Sequence, residues 1–274
     1  MTPTYPIQLD LDAIIREKAP RTKIPRFLIT WLKRIIHQKE LNEVLSYAGD
    51  AEGSLFAKKA LEYFNIQLNP IGQENMPENG QFIFASNHPL GGLDGIALAA
   101  FLGSLFDGKI KVQVNDLLMN VTNLKPIFIP VNKLGSQTKN SIIQTNEAYT
   151  SDNQMLVFPA GFCSRRQHGE IKDLNWKKTF INKAVECNRS IIPIYFDELN
   201  SNFFYNLSSI RMALGIKANI EMLFLPSEMF KKKNTTFTFY IGKPILPSQF
   251  DTSKTPQQWA EQVKQAVYNL KKEF

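Results

Sequence analysis

The sequence predicts an α/β protein with a mixed, largely parallel sheet flanked by helices and an N-terminal helical segment ahead of it. Three observations carry that expectation. From residue 81 onward, short β-rich runs alternate with helical ones, the order that produces strands joined by crossover helices. Several of those runs, QFIFASN (81–87), MLVFPAG (155–161) and SIIPIYF (190–196), are continuously apolar, as strands covered on both faces are. The first 70 residues instead repeat apolar residues at helical spacing.

Residues 10–18 and 54–64 are the first helix candidates, the second carrying Leu55, Phe56, Ala60, Leu61 and Phe64. Between them lies PRFLITWLKRIIHQ (25–38), opened by a proline suited to a first helical turn. On a helical wheel Phe27, Leu28, Ile29, Trp31, Leu32, Ile35 and Ile36 fill an arc of roughly 200°, and Arg26, Thr30, Lys33, Arg34 and His37 fill the rest. That pattern fits a helix lying on a membrane surface, and equally a helix packed on the core with a solvated basic face. Strand candidates follow at 81–87, 109–115, 126–132, 155–161, 190–196 and 236–242, with helices expected at 94–105, 138–149, 176–187 and 202–214. The last helix, 256–270, aligns Trp259, Val263, Ala266, Val267 and Leu270, with Thr255 as its cap. Pro193 inside a β-rich run suggests an edge, a bulge or a pocket wall. The expected division is an N-terminal helical, membrane-docking segment (1–70) followed by the main domain (71–274).

Composition narrows the function classes. With 274 residues, 43% hydrophobic and 21% charged, the chain is neither collagen-like, disordered nor a coiled coil, and its length is enough for a full core without staples. Two cysteines, Cys163 and Cys187, are too few for a disulfide framework, and nothing has metal-ligand spacing. The expectation is therefore a reducing compartment, with no metal and no resident cofactor. No run approaches the roughly 18 apolar residues of a spanning helix; the nearest, 95–106, reads as a core helix, and the N-terminus lacks a secretory signal pattern. A formal charge of +7 suits an anionic membrane surface or an anionic substrate. Nucleic acid is not expected, because the basic residues are dispersed and no recognition motif is present.

The three histidines are His37, His88 and His168. His88 lies in SNHPLGGLDG, directly after an apolar strand, where open α/β sheets place their sites. Asp94 follows after five residues that include Gly91 and Gly92, so a tight turn can return its carboxylate to the imidazole and fix a general base. The same residues also read as a strand-terminal histidine, a turn and a helix cap. A second cluster, FPAGFCSRR (158–166), leads from a strand through Gly161 to Ser164, Arg165 and Arg166, an arginine pair suited to phosphate or carboxylate; a solvated basic loop has the same composition. Cys163 has no adjacent base and reads as packing. LKPIFIPVNK (124–133) is an apolar strand flanked by Lys125, Asn132 and Lys133. The aromatic triplet 203–205 suits a membrane surface, an acyl pocket or the core.

In this order the four segments resemble the motifs of the glycerolipid (lysophospholipid) acyltransferase superfamily. The first motif, Asn-His, four residues and Asp, is matched by Asn87, His88 and Asp94; the second by PIFIPVNK; the third, Phe-Pro-Glu-Gly-(Thr)-Arg-Ser, by FPAGFCSRR; and the fourth by Ile192, Pro193 and Ile194. The resemblance covers roughly residues 70–245, and the NHPLGGLDG and FPAG forms are similar to a bacterial hemolysin-like or ornithine-lipid-type subgroup. It implies acyl transfer from acyl-CoA or acyl carrier protein, as co-substrate, to a lysolipid hydroxyl. His88 and Asp94 would be the catalytic pair, with Asn87, Lys133, Gly161, Ser164, Arg165 and Arg166 binding substrate. A lysophosphatidate-type acceptor is the leading expectation. The alternatives are a phosphorus-free lyso-aminolipid of ornithine or glycine type, and a non-catalytic lipid- or carrier-binding protein. Ala160 stands where the third motif has glutamate, and Val131 stands nearest the second motif's arginine, so the catalytic pair is matched better than the acceptor site. A peripheral position on the cytoplasmic membrane face is expected.

Overall fold

The computed structural model describes residues 8–18, 24–115, 121–131 and 139–274. Seven strands make one sheet: β1 (Gln67–Ile71), β2 (Phe82–Ser86), β3 (Ile110–Asn115), β4 (Phe128–Val131), β5 (Gln154–Val157), β8 (Ser190–Phe196) and β9 (Thr236–Ile241). Their order is β1-β9-β8-β2-β5-β3-β4. Strands β8, β2, β5, β3 and β4 run parallel, β9 is antiparallel to β8, and β1 is parallel to β9. Five strands therefore share one C-terminal edge, and the loops that leave it carry most of the sequence motifs. A short hairpin, β6 (Arg165–Gln167) and β7 (Glu170–Lys172), stands apart.

Strict alternation along β2 shows how the core is divided. Phe82 and Phe84 point to one face and Ile83 and Ala85 to the other. On the first face pack α3 (Gln38–Ala48), α4 (Gly53–Phe64) and α5 (Leu93–Leu105). On the second pack α6 (Lys139–Thr150), α7 (Thr179–Glu186) and α10 (Pro256–Glu273), around the fully buried Trp176. Thr255 caps α10 with a reciprocal capping box to Gln258, as its sequence position suggests.

Several expectations are refined. The helix expected over 25–38 ends earlier, as α2 (Arg26–Ile35), because His37 adopts a left-handed φ of 52°. There its Nε2 lies 2.9 Å from Ser227 Oγ and its ring stacks on Phe230, on and at the end of α9 (Leu225–Phe230). The boundary expected between residues 70 and 71 falls inside β1, and α4 belongs to the main core, so the fold has no break at that point. Pro193 sits in an interior strand. Between the pairs Ile191↔Ile245 and Ile194↔Ile241, residues 241–245 use one more residue than 191–194, and at this bulge the missing N–H interrupts no regular pairing. The strand expected over 126–132 starts later, after a 3-10 turn (Thr122–Ile127), and Asn132 and Lys133 lie outside the described residues.

The N-terminal helices are fastened to this body. Asn42 both accepts from Leu9 N–H and donates to its carbonyl, Gln38 accepts from Leu11 N–H, and Lys33 pairs with Asp12. These contacts hold α1 (Leu11–Lys18) along α3.

Helices α4 and α5 cross closely at Gly103, where an added Cβ would lie 2.1 Å from Ser54 Cβ. Gly103→Ala is expected to destabilise the protein by about 1–3 kcal/mol through overpacking, read as a lowered thermal midpoint. Unchanged melting would contradict the close crossing.

Candidate active site

Strand β2 delivers Asn87 and His88 to the C-terminal edge of the sheet, and the chain turns through Gly91 into α5. Gly91 has φ 74°, and a Cβ there would meet Cys163 Cβ at 2.9 Å, so the turn requires glycine. This turn places Asp94 Oδ2 3.0 Å from His88 Nδ1. The five-residue spacing therefore brings the two side chains into contact.

Asp94 is fully buried, yet four backbone N–H groups converge on it. Leu90 and Gly91 donate to Oδ2, and Gly92 and Gly95 donate to Oδ1. Burial pushes its pKa up, but electrostatic attraction to the His88 ring and the hydrogen bonds from His88, Leu90 and Gly95 outweigh that and hold it below the ordinary value. The carboxylate is thus ionised, caps the first turn of α5, and accepts the Nδ1 proton of the imidazole. Nε2 of His88 has no hydrogen-bond partner among the described residues. The ring stacks on Phe158 of the third motif at 4.2 Å between centroids, which fixes the direction in which that free nitrogen points.

The loop around His88 is held from three sides. Asn87, expected to bind substrate, exchanges two hydrogen bonds with the backbone of Phe196 at the end of β8. Asn200 and Tyr205 both donate to Pro89 O. Beneath the loop, buried Asp173 accepts from His88 N–H at 3.2 Å, Ser164 Oγ at 2.6 Å and Trp176 Nε1 at 2.9 Å. Ser164 N–H also donates to His88 O, so Ser164 serves as a tie between two motif loops. Burial raises the pKa of Asp173, partly offset by these donors. Sequence reading missed Asp173, a lone acid in an unpatterned stretch whose partners are all distant in the chain except Trp176 and Ser164.

The two arginines differ from expectation in a related way. Arg165 is buried, its Nη2 2.8 Å from Glu221 Oε1 and its Nη1 donating to Cys163 O. Arg211 Nε approaches the other oxygen of Glu221 at 2.8 Å. Arg165 is therefore committed to an internal charge cluster, which desolvates it and turns it away from ligands. Arg166 is half-buried and donates to Asn202 Oδ1. Glu221 carried one sequence signal, a single acid in the apolar run IEMLFLP. Cys163 is buried and burial pushes its thiol up to about 11, as suits packing. Phe204 and Tyr205 are core residues, whereas Phe203 is exposed, and His168 lies exposed in the β6–β7 turn.

His88 opens on a cavity of about 1150 Å³. One lobe of its lining is mainly apolar, from α1, α3, α4 and α5 with Leu225 and Met229, and the rest comes from α6 and α7 on the other face of the sheet. Gly161 lines it, but Arg165 and Arg166 do not. Among the described residues no group of three His, Cys, Asp or Glu side chains gathers to hold a metal ion.

Comparison with known proteins places this geometry. An acyltransferase family pattern matches residues 13–274. The chain is 49% identical to the lyso-glycine lipid O-acyltransferase of Bacteroides thetaiotaomicron, over 96% of this chain and 97% of that protein. It is 48% identical to the protein of the same name in Phocaeicola vulgatus, over 96% and 95%. The fold resembles the crystal structure of the 1-acyl-sn-glycerophosphate (LPA) acyltransferase PlsC from Thermotoga maritima, with a TM-score of 0.52 at 16% identity over 89% of each chain.

Two outcomes follow from the buried charges. Glu221→Gln leaves two buried guanidinium groups without their carboxylate and is expected to cost about 3–5 kcal/mol, read by denaturant unfolding. Because the pKa of Asp94 is depressed on folding, its contribution is full at neutral pH and is lost as pH falls through that depressed value. Asp94→Asn should therefore lower stability at neutral pH and flatten the acid limb of the melting profile below the ordinary carboxylate range; an unaltered acid limb would contradict the ionised state of Asp94.

Proposed function

The chain belongs to the acyltransferase family, and from that premise we propose that it transfers a fatty acyl group from a thioester donor to the hydroxyl of a lyso-glycine lipid. The observation that carries the chemistry is the imidazole held at Nδ1 by an ionised, buried Asp94, with Nε2 free at an apolar cavity large enough for acyl chains. The near-half identity over almost the whole length of both lyso-glycine lipid O-acyltransferases supports the acceptor. It favours the phosphorus-free alternative over the lysophosphatidate-type acceptor expected from the motifs.

In this reading Nε2 of His88 takes the proton of the acceptor hydroxyl as its oxygen attacks the thioester carbonyl. Asp94 orients the ring and stabilises the imidazolium. Collapse of the tetrahedral intermediate breaks the carbon–sulfur bond, and the leaving thiolate recovers the proton from Nε2. No covalent enzyme intermediate is needed. Asn87, Ser164 and Asp173 position the histidine loop. The donor is acyl-CoA or acyl carrier protein.

The acceptor is a membrane lipid, and exposed apolar and basic residues support peripheral docking; we assign the cytoplasmic face because the donor is acyl-CoA or acyl carrier protein. No described helix is long and apolar enough to cross a membrane. In α2 no residue is buried, and Phe27 and Trp31 are 76% and 51% exposed, with Lys33 and Arg34 in the last turn. Phe203, Ile210 and Leu214 of α8 (Asn202–Ala213) and its C-terminal end form a second exposed apolar strip. Basic residues near an anionic leaflet contribute about 1 kcal/mol each.

Purified protein on vesicles, offered labelled acyl-CoA or acyl carrier protein with lyso-glycine lipid or lysophosphatidate, should acylate the glycine lipid faster. His88→Ala should lose on the order of 10²–10⁴-fold of that rate. Faster lysophosphatidate turnover would overturn the acceptor, and an active His88→Ala protein would overturn the mechanism. Phe27→Ser with Trp31→Ser should reduce binding to anionic vesicles about tenfold or more; unchanged partitioning would remove α2 from the docking surface.

A further inference from the structure

Glycine has no hydroxyl, so an O-acylated lyso-glycine lipid accepts the acyl group on a hydroxyl of the chain attached to its amine. The glycine carboxylate is then its headgroup charge. CoA and phosphopantetheine donors carry phosphate. Both substrates proposed for this site are therefore anions, and the cavity must meet at least one of those charges away from water or lose the charged partner's binding energy.

The arginines nominated by the motifs are not placed to do this. Arg165 is neutralised by Glu221, and neither Arg165 nor Arg166 lines the cavity. Apart from His88, the cationic side chains that line it among the described residues are Lys177 and Lys183, on the approach to α7 and within it. They stand on the α6–α7 side, whereas the acidic lining residue among the described residues, Asp10, immediately precedes α1. Polar side chains gather at the lysine end: Gln113, Thr145, Asn146 and Thr179. The walls of the other lobe are mainly aliphatic and aromatic. Lys177 has no acidic partner among the described residues, and its backbone N–H is tied to Pro159 O of the third motif. Lys183 pairs with Glu186, which is 56% exposed, an interaction that solvent weakens and a bound anion can replace.

We propose that Lys177 and Lys183 form the anion-holding end of the acyl-transfer cavity, taking the carboxylate of the acceptor or a phosphate of the donor while the acyl chains occupy the apolar lobe and the hydroxyl lies at His88. This rests on the acyl-transfer reading above and specifies where its charged substrate is held. Lys183 belongs to α7 on the second sheet face and Lys177 leads into it, the apolar walls belong to helices of the first face, and His88 at the sheet edge lines the same cavity.

The test compares wild-type protein, Lys177→Gln with Lys183→Gln, and Lys177→Arg with Lys183→Arg, each first checked for an unchanged thermal midpoint. Equilibrium binding is measured for an N-(hydroxyacyl)glycine and its carboxamide, and for acyl-CoA and the phosphate-free acyl-pantetheine thioester. The glutamine variant should weaken at least one anionic ligand about tenfold or more, and the arginine variant should restore it. If the loss vanishes with the carboxamide, the lysines hold the headgroup; if it vanishes with the phosphate-free thioester, they hold the donor. Equal affinity for both anionic ligands in wild-type and glutamine proteins, or equal losses for charged and neutral ligands, overturns the proposal. Binding is read without turnover, so a wild-type protein that binds these ligands but does not acylate the glycine lipid would count against the acceptor reading alone.

Discussion

The rest of the site depends on one buried carboxylate that is kept charged. Isolated in an apolar interior, Asp94 would protonate or destabilise the fold. Here four peptide N–H groups and an imidazole surround it, so the same atoms that begin α5 also set the tautomer of His88. Secondary structure and site chemistry share one interaction. That sharing explains why the turn tolerates an extra residue relative to the family spacing: the carboxylate is located by the helix terminus, and the glycines absorb the difference in loop length.

A second buried acid does the same for the backbone. Asp173 joins the His88 loop to Ser164 of the third motif and to Trp176 of the second core, and α10 supports it through Tyr268 and Lys264, which bond its backbone N–H and carbonyl. Asn87 fastens the loop's other end to β8. Three of the residues that read as substrate contacts in the sequence, Asn87, Ser164 and Arg165, have side chains with internal partners. A motif polar residue next to a reacting group is as often needed to hold that group as to touch substrate, since general-base geometry tolerates little displacement.

The sequence made the α/β class, nearly every strand of the parallel set, and the His88–Asp94 pair legible, because each depends on local periodicity or a short spacing. What it hid depends on long-range partners. His37 breaks a helix whose wheel continues smoothly, and the reason is Ser227 and Phe230, about 190 residues away in the chain. Strand β1 is short, contains Pro70 and has no fully buried residue, so it reads as loop until β9 pairs with it. Arg165 looked free because Glu221 is 56 residues distant. Asp173 carries no pattern at all. Local rules reveal elements and turns, whereas the commitment of a charge is decided by tertiary contacts.

The third motif shows how such commitments bear on substrate class. Ala160 is buried and belongs to the apolar cluster that includes Ile83, Val157 and Trp176, so a glutamate at this position would place its stem and carboxylate against an apolar core. Dianionic phosphate is bound best by arginine forks, and here one such fork is spent on Glu221 and the other is directed at Asn202. Among the described residues the cavity retains two lysines, point charges without fixed geometry. A singly charged carboxylate needs no more than that, and a lipid whose headgroup is a single amino acid presents one. On the proposed reading the departures at Ala160 and Arg165 and the intact His88–Asp94 contact belong together: lysines suffice for a lone carboxylate, while the imidazole stays placed for the same proton transfer.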